Sequence, residues 1–93
     1  MDVDQIRAAV INVLHSVQSQ SGRDWVPITD GSKPIGALDG FDSLSGLEAT
    51  VLLEEITGIS FGRENIFVSE KGDAALNVGE IVTSVIQIAA RKN

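Results

Sequence analysis

The sequence predicts a small all-α protein: a four-helix bundle of three longer helices and one short one, with a long loop after the first helix. Three observations carry this reading. Apolar residues recur at three- and four-residue steps in three separate segments, each segment opens on a capping residue, and no stretch alternates apolar and polar residues as a half-buried strand would. At 93 residues the chain makes one domain, residues 1–93, because so short a chain has no length for a second core.

The first helix is expected from about Val3 to Ser21. Val3, Ile6, Val10, Val13, Leu14 and Val17 line one face, Asp2 and Gln5 have capping-box spacing, and Gly22 offers a left-handed stop. From Gly22 to Asp42 the periodicity is lost. Pro27 and Pro34 stand among Gly31, Gly36 and Gly40, residues that punctuate turns. Trp25, Val26, Ile28, Ile35 and Leu38 make this loop too apolar for a free linker, so it is expected to fold back over the helices.

A second long helix should open at Asp42 or Ser43 and end near Thr57, where Gly58 can stop it. At about 100° per residue, Ala49, Leu52, Leu53 and Ile56 fall on one side, while Leu44, Leu47, Val51, Glu48 and Glu55 gather on another. The second face mixes aliphatics with carboxylates that resist burial, and so reads as an exposed surface for a partner. In the segment from Gly62 to Asp73 the short helix is expected around Arg63 to Phe67, followed by a polar turn at Ser69 to Asp73. Asn77 and Glu80 match an N-cap and its N3 partner for the last helix. Its stripe is Val78, Ile81, Val82, Val85, Ile88 and Ala89, and Arg91 and Lys92 complement its C-terminal dipole. Val10, Leu14, Leu52, Ile56, Ile66, Val82 and Ile86 are the residues expected to line the space between helices, by plain core packing.

Composition removes several classes of function. Thirteen acidic residues against seven basic ones give a net charge of −6, and the basic residues are scattered, which disfavours nucleic acid. With no cysteine there is no disulfide, thiolate metal site or cysteine nucleophile. The single histidine, His15, lies within a helical pattern and gives no metal site, and no Gly-x-Ser-x-Gly elbow accompanies it for a serine hydrolase. The longest uncharged stretch, Ala8 to Gly22, is interrupted by polar residues and preceded by aspartates, so neither a signal peptide nor a membrane span is expected. These absences lead to the expectation of a soluble, cytoplasmic protein.

Charge is distributed unevenly. No basic residue lies between Lys33 and Arg63, a stretch that holds Asp39, Asp42, Glu48, Glu54 and Glu55. Such a field steers a basic partner toward the second long helix. At the start of that helix stands Gly40-Phe41-Asp42-Ser43-Leu44, with a serine hydroxyl where backbone N–H groups and the helix dipole favour a phosphate.

The run from Gly40 to Glu55, with Asp42-Ser43-Leu44, then Leu47-Glu48 and Leu52-Leu53-Glu54-Glu55, resembles the attachment region of acyl carrier proteins. The order of helices and loops is similar to that family over nearly the whole chain. The resemblance implies a covalent 4′-phosphopantetheine cofactor on Ser43, with acyl groups carried as thioesters on its thiol by a monomer that is not itself an enzyme. It also implies that a phosphopantetheinyl transferase loads the arm from coenzyme A, with Asp42 beside its metal site. Asp42, Leu44, Leu47, Glu48, Val51 and Glu55 would then meet acyl-loading and acyl-using enzymes with basic patches, in fatty-acid, lipid or polyketide-type biosynthesis. These are the residues that the helical wheel marks as anomalously mixed.

Some positions depart from the family pattern. Ser45 stands two after the serine where many family members carry an acid, and Gly46 follows it inside the helix, where glycine costs about 1 kcal/mol relative to Ala and is expected to loosen the first turn. The chain from Gly62 to Asn77 is longer than usual, and together these features point to a specialised carrier that begins at its own Met1. Two other readings stand beside this one: an acidic helical interaction module in which Ser43 only caps, and a carrier of aminoacyl or peptidyl cargo.

Overall fold

A computed structural model describes residues 1–91. Its helices are α1 (Val3–Gln20), α2 (Pro34–Ala37), α3 (Ser43–Thr57) and α4 (Val78–Arg91). The protein is a small helical bundle, with three long helices and one short one as the patterning predicts. Its short element differs in place: residues 63–67 form no helix, and the single short turn lies instead in the long loop. Pro34 starts that turn, but Ile35 and Gly36 leave helical geometry at once (ψ 113° and φ 106°), so it is a kink more than a helix.

Both predicted capping boxes form. The Asp2 carboxylate accepts from the Gln5 backbone N–H at 2.8 Å while the Gln5 side chain accepts from Asp2 N–H, and Asn77 and Glu80 exchange the same pair at the start of α4. Gly22 and Gly58 follow α1 and α3 with φ of 74° and 70°, the left-handed stop inferred for each.

Helix α1 is the shared partner, packing against both α3 and α4. Its buried side chains Ile6, Val10, Val13, Leu14 and Val17 meet Ala49 and Leu53 of α3 and Val78, Ile81, Val82, Val85 and Ile88 of α4 in one core. The long connection after α3 completes it with Phe61, Ile66 and Phe67, the last edge-on to Phe41 at 5.7 Å between ring centres. Val68 and Ala75 pair in a lone antiparallel bridge around the polar turn at 69–73.

The first loop folds back over the helices, as expected, and is held by polar contacts as well as by apolar residues. The carbonyls of Asp30 and Ser32 accept from Gly79 and Val78 N–H, at 2.9 Å each, and so satisfy donors at the open end of α4. Asp30 also pairs with Arg7 of α1 at 2.9 Å, and Gln18 of α1 donates to the Asp39 carbonyl at 2.8 Å. Leu38 is buried and Ile28 and Ile35 pack against the core, but Trp25 and Val26 do not cover it. Trp25 is 72% exposed and lies flat against His15 at 5.2 Å.

Arg91 turns back to the Gln87 carbonyl in the last turn of α4, while Lys92 lies outside the described residues. No helix among the described residues is long and apolar enough to cross a membrane.

Candidate functional site

Ser43 is the first residue of α3, with Asp42 as its N-cap in an extended conformation. The Asp42 carboxylate accepts from Ser45 N–H at 3.0 Å and from the Ser45 hydroxyl at 3.2 Å. These two donors, the backbone one first, hold its carboxyl below the usual carboxylate range. The Ser43 side chain is exposed, and its hydroxyl makes no hydrogen bond among the described residues. An unengaged hydroxyl at the positive end of a fifteen-residue helix can carry a phosphodiester without breaking any contact of the fold.

A second group of residues fixes this turn, and the sequence reading does not anticipate it. Asn65 donates its side-chain N–H to the Ser43 carbonyl at 3.0 Å, while its side-chain oxygen accepts from Phe67 N–H at 3.0 Å. Asn65 reaches the helix only because residue 46 has no side chain: a Cβ there would lie 2.6 Å from the Asn65 oxygen. One turn on, the buried Thr50 hydroxyl donates to the Gly46 carbonyl at 2.7 Å and accepts from Ile66 N–H at 3.1 Å. The first turn of α3 is therefore tied down, contrary to the looseness expected of Gly46. The sequence signal for this was the glycine itself, since glycine inside a helix needs a packing reason.

The buried stripe of α3 is Gly46, Ala49, Thr50 and Leu53. Ile56, assigned by the wheel to the core side, is instead 58% exposed, and Leu52 and Ile86 are half-buried against the core. Thr50 and Gly46 take the inward positions because their partners Ile66 and Asn65 approach there, which turns the helix relative to a purely apolar estimate. Val10, Leu14, Ile66 and Val82 are core residues as expected.

With the inward stripe so placed, the outward one lies directly opposite and consists of Leu44, Glu48, Val51 and Glu55, with Leu47 at its edge. Leu44 is 72% and Val51 53% exposed, and Glu48 and Glu55 face water between them. The structure thus brings the residues that the helical wheel grouped as a mixed face onto one exposed surface that begins at Ser43. The residues that lead into the serine, 36–42, line an open depression. Among the described residues, no group of three or more His, Asp or Glu side chains could hold a metal ion.

No known protein family, curated protein or solved structure matches this chain.

Proposed function

We propose that this protein is an acyl carrier protein, holding acyl intermediates on a 4′-phosphopantetheine arm at Ser43 and delivering them to partner enzymes in the cytoplasm. What carries the reading is the pairing of an unengaged serine hydroxyl at the N-terminus of α3 with an outward face of aliphatics and acids on that same helix. The residues present fit the arm, since Ser43 is free to be modified and the helix end favours its phosphate by roughly 0.3 to 1 kcal/mol. So small a term orients the phosphate more than it binds it. The arm's thiol supplies the thioester linkage.

The chain's own residues have three tasks in this reading. Asp42 caps the turn and presents the serine to a phosphopantetheinyl transferase. Asn65 and Thr50 hold the turn rigid, so that Ser43 is offered in one position. Glu48 and Glu55 attract a basic enzyme surface, and Leu44, Leu47 and Val51 lose water when it docks, a combination suited to brief contact with several enzymes.

The test is intact mass after incubation with coenzyme A and a broad-specificity phosphopantetheinyl transferase. The wild type should gain one phosphopantetheine and Ser43→Ala none; no gain, or the same gain in the variant, refutes the assignment. The exposed Leu44-Leu47-Val51 stripe also suits an interaction module that needs no prosthetic group, and partner binding indifferent to Ser43 would then be observed.

A further inference from the structure

On the side of the bundle formed by the 61–70 segment and the end of α4 lies a groove of about 430 Å³ lined by Phe61, Gly62, Arg63, Glu70, Ile88 and Arg91. A smaller groove of about 210 Å³ also includes Arg63, Glu70, Ile88 and Arg91. We propose that this groove binds a small amphipathic carboxylate, with the Arg63 and Arg91 guanidiniums on its head group and Phe61 and Ile88 under its apolar tail. The proposal does not depend on Ser43 or on the carrier reading, and it concerns a free carboxylate, a group that an acyl chain held as a thioester no longer has.

The first argument is how the arginines are used. The chain has four. Arg7 pairs with Asp4 and Asp30, and Arg23 lies 3.9 Å from Asp39. Arg63 and Arg91 have no carboxylate within 4.0 Å among the described residues, in a chain with thirteen acids, and both face this groove. Each is held by a backbone carbonyl instead. Arg63 donates one terminal nitrogen to Val68 at 2.6 Å and to Asn65, and Arg91 donates its Nε to Gln87 at 3.4 Å. The remaining N–H groups of two planar forks are left for a ligand that matches them, and a carboxylate does.

Charge and shape narrow the ligand further. Glu70 among the lining residues offsets one of the two arginines, and the Glu54 carboxylate, which accepts from Phe61 N–H at 2.8 Å, adds further negative charge, so a singly charged head group suits the groove better than a dianionic phosphate. Between the charged groups the groove is lined by the edges of Phe61 and Ile88, two core residues that are 4% and 6% exposed. The volume lies within the usual range for small-molecule sites, roughly 300 to 1,000 Å³.

Titration of the isotope-labelled protein with sodium hexanoate, followed by amide chemical shifts, tests this. Saturable shifts should be confined to residues 61–70 and 84–91, and both acetate, which lacks the tail, and hexan-1-ol, which lacks the charge, should bind about tenfold more weakly or worse. Arg91→Gln, at an exposed position with one long hydrogen bond, keeps the fold and should weaken hexanoate about tenfold while leaving hexan-1-ol unchanged. Glu70→Gln should tighten hexanoate. Absence of saturable shifts, equal binding of hexanoate and hexan-1-ol, an Arg91→Gln variant that binds hexanoate as the wild type does, or a Glu70→Gln variant that does not tighten it would each overturn the proposal.

Discussion

Replacing Gly46 with alanine sets two measurable effects against each other. Within a helix, alanine is favoured over glycine by about 1 kcal/mol, so on propensity alone the variant should be more stable. Against this, the new Cβ would lie 2.6 Å and 2.7 Å from the two polar atoms of the Asn65 amide and 3.0 Å from its carbon. The amide is the end of a side chain and can move, but it then gives up its bonds to the Ser43 carbonyl and Phe67 N–H. At about 0.5–1.5 kcal/mol each, two such bonds amount to roughly 2 kcal/mol, which exceeds the propensity gain by about 1 kcal/mol. Gly46→Ala should therefore lower the melting temperature by about 4–8 °C in a domain of this size. The sign must reverse once Asn65 is gone: Gly46→Ala in an Asn65→Ala background should raise stability by about 1 kcal/mol. Thermal melts and urea unfolding of the four proteins complete the cycle. A stabilised single variant would show that Asn65 does not hold the turn, and the account of how Ser43 is fixed would fail with it.

Four other outcomes follow from the same contacts. Thr50→Val leaves buried Ile66 N–H without its acceptor and should cost about 1–3 kcal/mol in urea unfolding, with Thr50→Ser retaining most of the stability. Leu53→Ala, fully buried, should cost about 2–5 kcal/mol, whereas Leu44→Ala on the outward face of the same helix should stay within about 0.5 kcal/mol. Asp42→Asn keeps an acceptor but not the charge. Because the folded Asp42 carboxyl lies below its ordinary value of 3.8, its contribution is present above that value and lost as pH falls through the folded one. The stability difference between wild type and Asp42→Asn should therefore be constant above about pH 5 and vanish in stronger acid, as read from urea midpoints across pH. If the protein carries acyl groups as proposed, reversing Glu48 and Glu55 to lysine should slow acyl transfer to a basic partner enzyme by about tenfold or more at low salt, with helicity by circular dichroism unchanged.

Elements written as periodicity and caps were legible in the sequence. Asp2 with Gln5, Asn77 with Glu80, and the glycines after α1 and α3 each act locally, so a few neighbouring residues determine them. The loop after α1 was legible as a loop but not in its burial, because Trp25 and Leu38 are both apolar and only tertiary packing decides which one the core has room for. The short helix expected at 63–67 fails for a similar reason. Asn65 and Ile66 put their polar groups onto α3 instead of into a helix of their own, and the partners that reward this, Ser43 and Thr50, lie 22 and 16 residues away. At the candidate site, the face formed by Leu44, Glu48, Val51 and Glu55 followed from the wheel alone, whereas the wheel's inner edge failed at Ile56. Hydropathy ranks Thr50 and Gly46 below isoleucine, and it contains nothing about the hydrogen bond and the close approach that draw them inward.

Helix α3 reverses the usual relation between residue size and burial. Its inward stripe is mostly small, with Gly46, Ala49 and Thr50, while Leu44, Leu47, Val51 and Ile56 are exposed. Burying an aliphatic side chain of that size is worth about 1.5–3 kcal/mol, so a chain shaped for stability alone would have them inside. A single exposed leucine needs no explanation, but a run at helical spacing beside two carboxylates does. The small inward residues supply the structural half of it: they let the 63–67 segment come close enough for Asn65 to hold the Ser43 carbonyl and for Thr50 to hold Ile66. What faces inward thus fixes the position of the serine, and what faces outward stays in contact with water. Rigidity of the first turn and exposure of the face beyond it are consequences of one choice of residues along α3, and exchanging the two stripes would forfeit both.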